Sequence, residues 1–275
     1  MHDDDLPVGR ILSRREALAL LSAAGATVLG PFGSSPSAAT LGQAAASAPV
    51  PGCVVRPELI EGPYFIDQQL NRSDIRSEPS TGAAMPGALL TLALNVSQIS
   101  SGTCTPLQGA MVDLWQCDAA GEYSAFEDRT VGFDTRGKKF LRGHQLTNDQ
   151  GLARFTTIYP GWYSGRAVHL HFKIRKDTGA GETYEFTSQL FFDETLTDSV
   201  HLRPPYATKG KRDTRNETDR FFKDGGDRLL LATSPRGEGF DTTFGIGLDL
   251  SDARTGGPDR WQGAPGGRGR GRGQG

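Results

Sequence analysis

Residues 88–99 read ALLTLALNVSQI, with apolar side chains recurring at every second position, which is the period of a β-strand with one face turned to a core. Similar short runs follow at 110–117, 140–147, 152–158, 167–174, 184–193, 229–232 and 243–250. Turn chemistry separates them: Gly102 with Pro106, Gly121, and the Asn148–Gly151 cluster. The runs at 140–147 and 152–158 are close enough to form a hairpin, and the opening segment ELIEGPYF adds a further strand. Residues 194–222 are polar, contain Pro204-Pro205, and read as a long surface excursion with at most short helical turns. Many short strands, with no long helical pattern between them, predict an all-β, antiparallel sandwich with long connecting loops.

The ends have a different texture. Residues 31–52 are rich in Ser, Ala, Gly and Pro, and the final stretch GGPDRWQGAPGGRGRGRGQG carries nothing to bury. Ahead of the first lies Ser13-Arg14-Arg15 and a weakly apolar run ending in Ala-x-Ala choices, the layout of an export signal of twin-arginine type. The chain therefore divides into an export signal and leader (1–48), a β-sandwich domain (49–258) and a Gly/Arg-rich tail (259–275). Exported, the protein is periplasmic or extracellular and free of the membrane. Its three cysteines then meet an oxidising compartment. Cys53 and Cys104 are the expected disulfide, with Cys117 a buried free thiol at the end of VDLWQC.

Composition adds little about partners. The 275 residues are 36% hydrophobic and 23% charged with a net charge of -2, too weak a field to select nucleic acid or an anionic membrane.

The chemistry is concentrated in TIYPGWYSGRAVHLHFKIR, residues 157–175. On a strand, His169 and His171 share a face and can bind one metal ion. The carboxylates nearby, Asp118, Asp149 and Asp177, have ready roles as turn formers, which leaves phenols as the further ligands. A phenol with an ordinary pKa near 10 is held as phenolate at neutral pH only by a strongly Lewis-acidic ion. Ferric iron is such an ion, whereas zinc and magnesium favour N/S or carboxylate oxygen. Tyr159 and Tyr163 both compete for the role. His144 and His201 have no companion in sequence and are expected to be non-ligands.

Four stretches make the picture specific: EGPYF at 61–65, VDLWQCDAAGEYS at 112–124, FLRGHQLTNDQGLARFTTIYPGWY at 140–163, and RAVHLHFK at 166–173. Together they resemble the intradiol ring-cleavage dioxygenases, the family of catechol and protocatechuate 3,4-dioxygenases, across residues 53–250. The resemblance implies a β-sandwich holding one non-haem Fe(III). Its ligands would be Tyr123 and His169 in equatorial positions, and Tyr163 and His171 in axial ones, the family pattern favouring Tyr163 over Tyr159. It implies that Arg166 stabilises charge on a bound catecholate, with Gln189 near the same pocket and Tyr163 leaving the metal as substrate binds. Gly62, Tyr64 and Trp162 correspond to positions around the substrate. The implied reaction opens a catechol ring with O2 to a cis,cis-muconate-type diacid, and relatives occur as homodimers and larger assemblies. The competing expectation is a non-catalytic exported β-sandwich that binds aromatic or carbohydrate ligands.

One geometric condition follows from strand parity. Arg166 has the opposite parity to the histidines, so the regular strand must begin after it if all three face one ion.

Overall fold

The computed structural model describes residues 54–179 and 183–252. The expected leader with its arginine pair, Cys53 and the 259–275 tail lie outside them. The chain is mostly β, with eleven strands and a few short helices among the described residues. No helix among these residues is long and apolar enough to cross a membrane.

The first sheet is organised on β1 (Leu89–Ser100). Leu90, Leu92, Leu94 and Val96 are buried on one face, as the alternation demands. One edge of β1 pairs with β11 (Gly239–Leu248), which in turn pairs with β10 (Ala232–Arg236). Its other edge is shared between β7 (Leu152–Ile158) along residues 89–95 and β2 (Thr103–Pro106) along residues 97–100. The β1–β11 pair is parallel, against the expectation of an antiparallel fold. A parallel pair needs a long connection, and residues 101–238 separate these two strands.

The second sheet runs β6 (Arg142–Leu146), β3 (Met111–Trp115), β8 (His169–Asp177), β9 (Thr183–Phe191), all antiparallel. Neither sheet closes on itself. Side chains of both meet in one core, where Leu92, Phe155, Ile246 and Phe244 join Leu114, Phe172, Ile174 and Leu190. The rings of Phe172 and Phe244 lie 5.8 Å apart.

Three expectations are corrected. The segments at 140–147 and 152–158 are not a hairpin: the turn forms, with Gly151 N donating to Asn148 O at 2.9 Å, but β6 joins the second sheet and β7 the first. The opening segment forms no strand, because Pro57, Pro63 and the left-handed Gly62 (φ 75°) break a ladder. It is tied down instead by Leu59 N donating to Thr187 O at 3.0 Å, and the loop after it by isolated bridges at Asn71–His144 and Asp74–Thr156. Lastly, residues 194–222 are more than surface: α1 (Glu194–His201) is capped by Asp193, and α2 (Arg220–Lys223) by Asp219. Thr197, Val200, Tyr206, Asn216 and Asp219 from this segment are buried. The small β4 (Glu127–Asp128) and β5 (Phe133–Asp134) pair with each other between β3 and β6.

Candidate metal centre

Strand β8 begins at His169, after Arg166, so the parity condition is met. Leu170, Phe172 and Ile174 enter the core, and His169, His171 and Lys173 face the other way. On that outer face the register aligns one rank of side chains across all four strands: Arg142, Trp115, His171 and Gln189. Trp115 stacks on His171 with centroids 5.0 Å apart and planes 10° from parallel.

Tyr123 arrives from the turn after β3. Asp118 makes that turn, its Oδ1 accepting from Ala120 N (2.9 Å) and Glu122 N (3.0 Å). The fully buried Tyr123 ring stacks on Tyr64 at 4.3 Å, and the Tyr64 hydroxyl donates to Asp128 at 2.5 Å. Tyr163 arrives from the Pro160-Gly161 turn and is half-buried.

The four expected ligands converge. His169 Nε2 lies 3.0 Å from His171 Nε2, 3.3 Å from Tyr163 Oη and 3.5 Å from Tyr123 Oη. His169 Nδ1–H donates to the Ala167 carbonyl at 2.6 Å, which leaves Nε2 as an acceptor aimed into the cluster. His171 Nδ1 is buried without a partner among the described residues. Donors on a single ion at about 2.0–2.1 Å sit roughly 3 Å from one another, so the spacing fits one coordination sphere. No three His, Cys, Asp or Glu side chains group to hold a metal among the described residues. An ion bound here would therefore need the two phenols, which restricts it to one that stabilises phenolate.

Arg166 borders the cluster. Its Nη1 is 3.4 Å from both Tyr163 Oη and His169 Nε2, and its Nη2 donates to Gln189 Oε1 at 2.5 Å. Gln189 is in turn fixed by donating to Ile60 O at 3.0 Å. Gly62 lies over His171, the place of its missing Cβ being 3.5 Å from His171 Cε1. Lys173, next on the same face, holds Glu61 at 2.6 Å and so anchors this loop. Trp162 lies beneath the Lys209 ammonium, 5.1 Å from its ring, and its carbonyl packs against Gly121. Tyr159, His144 and His201 are elsewhere: Tyr159 bonds Thr197 at 2.7 Å in the core, and His201 reaches Pro160 O at 3.0 Å. Cys104 is disulfide-bonded and Cys117 is a buried free thiol, whereas Cys53 lies outside the described residues.

Sequence reasoning gave no role to Trp115, Arg142 or Asp219. Arg142 is buried with no carboxylate partner among the described residues, donating to Tyr64 O (2.6 Å), Ser124 O (2.8 Å) and Ser124 Oγ (2.8 Å). It thereby joins the segments that carry Tyr64 and Tyr123, and burial lowers its pKa to about 10. Trp115 shares the parity of Asp113 and Cys117 in VDLWQC, a signal that marks the face opposite Val112 and Leu114. Asp219 is an N-cap residue ahead of a four-residue helix that no periodicity reveals.

Burial governs protonation here. It holds Tyr123 well above an ordinary phenol and raises Tyr163 to about 12, the latter opposed by Arg166. It pushes both imidazoles well below the usual histidine range, with Arg166 and, for His171, also His169 adding to the effect. Metal-free, the cluster is two phenols and two neutral imidazoles at neutral pH. The unfolded chain takes up histidine protons below about pH 6.5 and releases tyrosine protons above about pH 10, while the folded cluster resists both. Metal-free protein should therefore be most stable between those limits. On the acid side stability should fall by up to about 1.4 kcal/mol per pH unit for each ring. Urea titrations of metal-free protein at pH 5, 7.5 and 10.5 test this, and equal midpoints at pH 5 and 7.5 would refute it.

Known proteins share this arrangement of strands. The protein-family model described as Dioxygenase matches residues 60–209, more than half of the chain. An intradiol ring-cleavage dioxygenase from Tetranychus urticae is 30% identical, with 72% of this chain and 96% of that one covered at a TM-score of 0.62. Hydroxyquinol 1,2-dioxygenase from Pseudomonas putida DLL-E4, at 16% identity and TM-score 0.50 over 72% of this chain and 67% of that one, shares the fold. Chlorocatechol 1,2-dioxygenase from Pseudomonas putida is 26% identical over 136 residues, 43% of this chain and 48% of that protein. The chain thus spans about half the length of that curated relative. By its family match and its likeness to the mite protein, the chain belongs to the intradiol ring-cleavage dioxygenases.

Proposed function

We propose that this protein cleaves the ring of a catechol-type aromatic with O2 at a non-haem Fe(III) held by Tyr123, Tyr163, His169 and His171, giving a muconate-type diacid. The convergence of two phenols and two neutral imidazoles beside one arginine carries the reading. The two sheets meeting in one core favour the sandwich architecture of the same proposal. Family membership and the relative named for chlorocatechol support a catechol-class substrate.

When bound, the ferric ion supplies a Lewis acid that stabilises phenolate and catecholate oxygen. The chain's own groups do the rest. Of the two phenols, Tyr163 is the half-buried one and lies 3.4 Å from the guanidinium, so its Oη would be the group placed to accept a proton from a substrate hydroxyl. Arg166 presents fixed positive charge at the same edge, where a dianionic substrate gathers electron density. His169 keeps its lone pair on target through the Ala167 carbonyl. Trp115 and Tyr64 stack behind His171 and Tyr123 and keep water from that side.

Protein loaded with ferric ion should show a visible phenolate-to-iron charge-transfer band that shifts on adding catechol, with oxygen consumed as the catechol is lost. A panel of substituted catechols in an oxygen electrode would then rank the substrates. Colourless, inert protein after ferric loading would sink the proposal and leave the non-catalytic binding role.

A further inference from the structure

The residues before β8 pose a problem of support. Arg166 precedes the first ladder residue, His169, so no strand pairing fixes its backbone, and its guanidinium must be held by side chains alone. Gln189 supplies one of its contacts, and residue 219 supplies the carboxylate. Asp219 is 1% exposed and uses both oxygens. Its Oδ2 accepts from Arg166 Nε at 2.9 Å and from Ala167 N at 2.7 Å. Its Oδ1 accepts from Phe221 N at 2.7 Å and Phe222 N at 3.1 Å, capping α2. That cap sets the Phe221 ring 4.3 Å from the Arg166 guanidinium carbon. The backbone of Ala167 is gripped on both sides of its Cα, its N–H by Asp219 and its carbonyl by His169 Nδ1–H at 2.6 Å.

We infer that Asp219 is a positioning residue for the reaction, its carboxylate setting both the Arg166 guanidinium and, through the Ala167 backbone, the orientation of His169. The inference rests on the proposed function for its kinetic consequence, but its structural part concerns the metal-free chain. Being paired, the buried carboxylate is a fixed anion that leaves Arg166 Nη1 free to face the cluster. An Asn in its place keeps the shape but can present an acceptor to only one of the two donor pairs.

The test is Asp219→Asn, alone and combined with Arg166→Gln. In metal-free protein, NMR of 15N-labelled histidine should show the His169 Nδ1 proton exchanging at least about tenfold faster in the single variant, because the peptide that accepts it is loosened. In ferric-loaded protein, kcat for catechol should fall roughly 10- to 100-fold, the scale of a misplaced charge-stabilising group, with KM changed far less. Adding Asp219→Asn to Arg166→Gln should cost clearly less than the product of the two single losses, since the part of its effect that runs through Arg166 is already gone. Independent, multiplying losses in kcat, or a His169 proton exchanging at the wild-type rate, would overturn the inference. Should the amide variant not fold, Asp219→Glu, which keeps the charge, carries the same cycle. Wild-type protein that turns over no catechol would count against the proposed function, and the histidine measurement would then decide the role of Asp219 by itself.

Discussion

Tyr123→Phe should leave a folded protein that binds ferric ion at least about 100-fold more weakly and lacks most of the visible band. The substitution removes one oxygen and no packing. The ring is fully buried and stacked 4.3 Å from Tyr64, and phenylalanine keeps that stack. The hydroxyl lies 3.5 Å from His169 Nε2, too long for a strong hydrogen bond, and its one further tie among the described residues is to the Tyr163 hydroxyl. Stability of the metal-free chain should therefore change by no more than about 1 kcal/mol. The oxygen matters only when a cation occupies the cluster. His171→Ala should lose the metal too, but it also opens a void against Trp115, so a stability loss would cloud the result. Iron content by elemental analysis, the visible spectrum and oxygen uptake read the effect directly. Wild-type activity in Tyr123→Phe would remove this tyrosine from the ligand set.

The residues of the proposed ligand set could be picked out of the sequence because local patterns and the family resemblance both point to them. Strand alternation pairs His169 with His171, an Asp-x-x-Gly turn presents Tyr123, and a Pro-Gly turn presents Tyr163. Strand parity even located the start of β8. The partners of those residues were harder to see, because they depend on register and on chain crossings that no local window contains. Trp115 and Arg142 share a rank with His171 only once β6, β3 and β8 pair as they do. Asp219 lies 53 residues from Arg166, in a polar segment that resembled loop. The mistaken hairpin at 140–158 and the parallel β1–β11 pair have the same origin. Both strands of the supposed hairpin find longer ladders with distant partners, β3 for one and β1 for the other.

Gly161→Ala should cost on the order of 3 kcal/mol or more and release the metal, although the residue touches none of the proposed ligands' donor atoms. The turns that carry Tyr123 and Tyr163 are interlocked through bare backbone. Gly121 N and Gly161 N both donate to the Asp118 carbonyl, each at 3.0 Å. A Cβ at Gly161 would lie 2.4 Å from Asp118 O and 2.5 Å from Ala119 O, and one at Gly121 would lie 2.1 Å from Trp162 O. Backbone cannot rotate aside as a side chain can, so an added methyl must separate the two turns. Separation breaks the shared hydrogen bonds and moves the two phenols apart, and a coordination sphere tolerates little of such movement. Gly132 is the control: its φ of 92° strains any L-residue, yet nothing lies within 4 Å of its Cβ position, so Gly132→Ala should cost only about 1 kcal/mol of backbone strain. At roughly 2–4 °C per kcal/mol for a chain of this size, melting temperatures should fall by about 6–12 °C for Gly161→Ala and by a few degrees for Gly132→Ala. If Gly161→Ala melts with the control and keeps its iron, the two tyrosines are set by something other than this contact between turns.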